Sequence, residues 1–103
     1  MNKVYNVIQT SNCDGEILVN VTPCADLKSA QAIVDDEIRT LLSEKTSKYY
    51  GIDLDEIEKD QNDDEADCDF YLERTDTTFV LGCLYDDYYE RIEIEEKEIV
   101  KVG

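Results

Sequence analysis

The sequence predicts a two-layer α+β domain, a mostly antiparallel sheet of about five short strands packed on one long amphipathic helix in the order β-β-α-β-β-β. Three observations carry that expectation. Two β-like segments flank an Asp14-Gly15 turn, apolar residues from 27 to 48 recur at helical spacing, and three alternating segments follow residue 69.

Residues 3–9 alternate well enough for a first strand, and Asp14-Gly15 is a strong hairpin signal because both residues tolerate positive φ. Residues 16–21 form the second strand, with Ile17, Val19 and Val21 on one face. Pro23 should stop it, since proline donates nothing to a ladder. Asp26 suits a helix N-cap, and Ala30, Ile33, Val34, Ile38, Leu41 and Leu42 define the buried stripe. This helix is expected from about Leu27 to about Lys48, with Gly51 as its stop.

Residues 53–69 contain ten acids and one base. Leu54 and Ile57 could seat one helical turn capped by Asp53, but beyond Glu58 there is nothing to bury, so a mobile acidic loop is expected within a single domain of residues 1–103. Phe70 and Leu72, then Phe79, Leu81 and Cys83, then Ile92 and Ile94 mark three further strands separated by turns at 74–77 and 85–87. Hairpin links imply an antiparallel sheet with one wet face.

Charge is the outlier in composition. There are 26 acidic and 10 basic residues and no histidine, a net charge of −16. Residues 1–52 carry 7 acids and 5 bases, whereas residues 53–103 carry 19 and 5. Such a chain repels nucleic acid and anionic lipid, which argues against direct binding to either and points to a basic protein partner. No apolar run approaches bilayer length and no signal-peptide pattern is visible, so a cytoplasmic protein with reduced thiols, in a bacterial or phage-infected cell, is the expectation.

Catalysis is not expected. The usual general base is missing with histidine, Cys13, Cys24, Cys68 and Cys83 lie in an acidic chain that disfavours thiolate, and the four glycines are isolated. No cofactor is implied, and the cysteines lack metal-site spacing. Asp60, Asn62 and Asp64 have the spacing of the first half of an EF-hand loop, but Glu65 stands where its glycine belongs and Tyr71 where its final glutamate belongs. Weak divalent-cation binding is the most that pattern supports.

The acidic second half is the functional lead. The residues expected to meet a partner are Asp55, Glu56, Glu58, Asp60, Asp63, Asp64, Glu65 and Asp67 in the loop, Asp86, Asp87, Tyr88, Tyr89 and Glu90 at the following turn, and Glu93 and Glu95 on the last strand. Carboxylates supply complementarity to a cationic surface, while Tyr88 or Tyr89 can stack on an arginine as anchor. Alternate strand residues lie about 6.8 Å apart on one face, so Glu93 and Glu95 begin a row of regularly spaced anions. The expected function is a non-catalytic module that docks on a basic protein surface as a nucleic-acid mimic. In size, charge and compactness the chain resembles phage-encoded anti-defence factors, anti-CRISPR proteins among them, without sharing a motif. The alternative is an accessory subunit bound by apolar contact or by strand addition, for which the C-terminal Glu-Ile-Val-Lys-Val run offers an edge.

Overall fold

The computed structural model describes residues 3–63 and 69–99. Among these, the elements are β1 (Lys3–Cys13), β2 (Glu16–Cys24), α1 (Leu27–Ser43), α2 (Leu54–Gln61), β3 (Phe70–Arg74), β4 (Thr78–Cys83) and β5 (Tyr88–Glu98). The strands form one sheet in the order β2-β1-β5-β4-β3, with every neighbouring pair antiparallel. The α+β class and the antiparallel sheet match the expectation. The order does not, because a second helix follows α1 and gives β-β-α-α-β-β-β.

The first hairpin forms where expected. Asp14 (φ 55°) and Gly15 (φ 89°) both take positive φ, the signature of a type I′ turn, and the Asn12 carboxamide oxygen accepts the Gly15 N–H at 3.0 Å. Pro23 does not end β2, which runs on to Cys24 with Pro23 paired to Asn6. An edge strand tolerates proline because its outward side needs no donor.

Helix α1 starts at the expected cap, with an Asp26 carboxylate oxygen accepting the Ser29 N–H at 2.7 Å. It ends at Ser43, well short of Lys48. The Thr40 and Ser43 hydroxyls donate back to the Asp36 and Arg39 carbonyls, and Glu44 turns extended. Gly51 (φ 75°) still helps close the helix, but from a distance: its N–H reaches the Leu42 carbonyl at 2.9 Å after an excursion that buries Tyr49. Tyr49 meets Phe70 edge-on, with ring centroids 6.2 Å apart.

The acidic segment is more ordered than the sequence suggests. The Asp53 carboxylate accepts the N–H groups of Asp55 and Glu56, those two acids lie in the first turn of α2, and Lys59 lies in its last. Each charge suits the helix dipole. Ile57 is buried and Leu54 packs against the core. The helix therefore continues past Glu58 to Gln61, whose carboxamide donates to the Leu72 carbonyl at 2.7 Å and accepts the Leu72 N–H at 2.9 Å. One side chain so closes the outer edge of β3. The rest of the expected loop falls on residues 64–68, which lie outside the described ones.

Val7, Leu72, Phe79, Leu81 and Ile92 supply the buried face of the sheet, and Ala30, Tyr49 and Ile57 close it from the helical layer. The opposite face carries no helix. There the Tyr71 ring lies over Gly82, its cross-strand partner, so closely that an added Cβ would fall inside the ring. The glycine is thus the seat of an aromatic side chain on the open face.

One face of β2 fails the expectation. Ile17, Val19 and Val21 share a face as read, but it is the open face, away from the helices. They are 57%, 60% and 55% exposed, and Leu18 on the other face is 64% exposed. β5 is the central strand, paired to β1 along its length and to β4 through residues 89–93; the Glu-Ile-Val-Lys-Val run expected to offer an edge begins at its last residue, Glu98, and from residue 100 lies outside the described residues.

Candidate interaction surface

The sheet order converts the charge asymmetry of the sequence into a spatial one. The nearly neutral hairpin of β1 and β2 forms one flank, whereas the acids of the second half gather on α2, which packs against β3 at the other flank, and on β5 between them; β3 carries one acid and one base and β4 no charge. On the acidic flank, Asp53, Glu56, Asp60 and Asp69 line a shallow hollow of about 300 Å³ whose floor includes Ile57 and Phe70. No lysine or arginine lines it. Among the described residues, Glu56, Asp60 and Asp69 have no ion pair.

Several other acids expected at the interface are engaged within the fold. The Arg74 guanidinium binds Glu58 through Nε and Nη2 at 3.0 and 2.7 Å and Asp55 through Nη2 at 3.0 Å, which fastens α2 to the end of β3. Asp86 lies 3.7 Å from the Lys48 ammonium, which also sits 4.0 Å above the Tyr88 ring. Glu93 bonds Arg91 and Glu95 pairs with Lys97, both two residues away on the same strand face. All of these pairs are exposed, where such contacts contribute little to stability and remain open to exchange with a partner's cations. Asp63 follows the end of α2, Asp87 is exposed at the β4–β5 turn, and Asp64, Glu65 and Asp67 lie outside the described residues.

Successive strand residues point to opposite faces, so Tyr88 and Tyr89 cannot act together. Tyr88 faces the helical layer beneath Lys48, and Tyr89 faces the open side. There Tyr89 joins Tyr71, Glu73, Arg91 and Glu93 around a groove of about 490 Å³. Two aromatic faces beside carboxylates can receive a guanidinium by stacking and pairing. Reading the sequence alone missed Lys48 and Gln61, whose partners are distant in the chain. It also missed the exposure of β2, whose Ile17, Val19 and Val21 lie on the face that no described helix covers.

Glu90 belongs to the helical face and not to the acidic surface. Its carboxylate accepts the Ser11 hydroxyl at 2.6 Å. Burial pushes its carboxyl up from the ordinary 4.5, against hydrogen bonds from Ser11 and Gln9 that pull it down. A carboxyl raised in the folded state binds more protons than its unfolded counterpart just above pH 4.5, so its contribution to stability falls as pH rises through that window. Glu90→Gln should therefore be more stable than the wild type at pH 7, with the difference closing as pH falls to 4.5. Thermal unfolding at the two pH values checks this, and a variant less stable at pH 7 would show that the hydrogen bonds outweigh burial.

Burial pushes the Cys83 thiol up, away from thiolate, Cys24 is buried, and Cys68 lies outside the described residues. Asp60 lies in the last turn of α2, and the Asn62 carboxamide donates to the Glu58 carbonyl. No group of three potential metal ligands occurs among the described residues, and no described helix is long and apolar enough to cross a membrane. Fold and surface together define a two-layer α+β domain with one acidic flank. Comparison with protein-family models, with curated proteins and with solved structures finds no match for this chain.

Proposed function

We propose that the chain is a non-catalytic binding module whose acidic flank docks on a basic protein surface of the kind that otherwise holds a nucleic-acid backbone, so that it inhibits by mimicry. The observation that carries this reading is the cation-free hollow of Asp53, Glu56, Asp60 and Asp69 beside α2, at the end of the sheet remote from the nearly neutral β1–β2 hairpin. A charge that served solubility alone would have no reason to spare the hairpin flank. The Tyr71 and Tyr89 groove, on the opposite face of the sheet, offers an anchoring element of its own, because rim carboxylates chiefly speed association while an aromatic covered on binding slows release.

Capture from a bacterial lysate on immobilised chain tests the proposal. The retained proteins should be basic, should elute by about 0.5 M salt as screening shortens to a few ångströms, and should be released by duplex DNA. Retention that ignores both salt and DNA would rule the mimicry out. A second reading, an accessory subunit joined by strand addition, is favoured by the open β2 edge, and its binding would be nearly indifferent to salt.

A further inference from the structure

The two edges of the sheet are treated differently. Gln61 occupies the outward N–H and C=O of Leu72 on β3, whereas β2 exposes eight of its nine residues and no element among the described residues covers its outer edge. Exposed, apolar and uncharged edges invite pairing, and soluble proteins ordinarily blunt them with charge, bulges or a cover. From Ile17 to Ala25, β2 and its extension carry no charge at all.

The hairpin determines which backbone groups are free. In a two-residue I′ hairpin the residues flanking the turn, here Cys13 and Glu16, exchange both hydrogen bonds, and every second pair along the ladder repeats the pattern. Glu16, Leu18, Asn20 and Thr22 are therefore bonded to β1. Ile17, Val19 and Val21 turn their N–H and C=O groups to the open edge, and Pro23, of the same parity, ends the row without a donor.

We propose that β2 pairs antiparallel with β2 of a second copy across a two-fold axis at Val19, joining two five-stranded sheets into one. In that register Val19 faces Val19 and Ile17 faces Val21 of the other copy, so each outward residue donates once and accepts once. All these side chains lie on the open face, where they form cross-strand aliphatic pairs that continue onto Ile8 of β1. Charge selects a second copy as the occupant. Two chains of −16 repel through their acidic surfaces, and the Ile17–Cys24 stretch of β2 is an open edge at which neither presents charge. Joining there places both acidic flanks at the far ends of the common sheet, free for the basic partner. A strongly basic segment would find no anion between Ile17 and Cys24 to pair with.

Sedimentation equilibrium of the full chain tests this. At about 100 μM, where even a micromolar dimer is largely formed, the mass should be twice 11.9 kDa, and added salt should tighten association because it screens the net repulsion. Val19→Lys puts two ammonium groups against each other at the axis and should weaken association at least about tenfold. Val19→Pro removes an outward donor while leaving the bonds to β1, and should also yield monomer. Circular dichroism and the melting temperature of each variant, measured where the wild type is monomeric, establish that the fold is intact; if one variant unfolds, the other decides. A wild type that stays monomeric at this concentration overturns the proposal, and so does a dimer whose affinity is unchanged in the folded variant.

Discussion

Ile92→Ala should destabilise the protein by about 3 kcal/mol, a value typical for truncating a fully buried isoleucine. Ile92 is 0% exposed at the middle of β5, the central strand of the five, and lies between Gln9 of β1 and Phe79 of β4. Removing its three outer carbons forfeits their transfer from water and leaves a cavity that two flanking strands prevent from collapsing. For a chain of 103 residues the melting temperature should fall by roughly 10–20 °C. A chain so self-repelling has little reserve, and thermal unfolding at moderate salt keeps the variant measurable. A loss below about 1 kcal/mol would mean that β5 is not the centre of the sheet.

Features set by neighbours in the chain were legible in the sequence. The Asp14-Gly15 turn, the Asp26 cap and the Asp53 cap each depend on residues within three positions, and all three form. The alternation of Phe79, Leu81 and Ile92 was readable for the same reason, since a strand's period is a local property. What failed depends on contacts made across the fold. Gln61 looks like a loop residue until Leu72, eleven positions away, offers it two backbone groups. The burial of Ile17, Val19 and Val21 cannot be judged without knowing that β2 has a neighbour on one side only and that the helices cover the other face.

The acidic site divides along the same line. Arg74 claims Asp55 and Glu58 from 19 and 16 residues away, which sequence spacing does not reveal. The Arg91–Glu93 and Lys97–Glu95 pairs, by contrast, follow from strand periodicity, because residues two apart share a face. The carboxylates left without cations, Glu56, Asp60 and Asp69, come from α2 and from the start of β3, and only folding gathers them.

Position, rather than total charge, is what the proposed docking requires. Glu56→Lys with Asp69→Lys reverses two exposed carboxylates in the hollow, neither of them in an ion pair among the described residues. Glu16→Lys with Glu44→Lys reverses two at the hairpin tip and the end of α1, outside the acidic flank. Both double variants carry the same net charge, so any difference between them comes from where the charge sits. Affinity for a protein that the wild type retains from lysate, measured at low salt, should fall at least about tenfold for the first variant and less than about threefold for the second. Equal losses would show that the partner responds to the molecule's overall charge, and the acidic flank would then have no claim to be its binding surface.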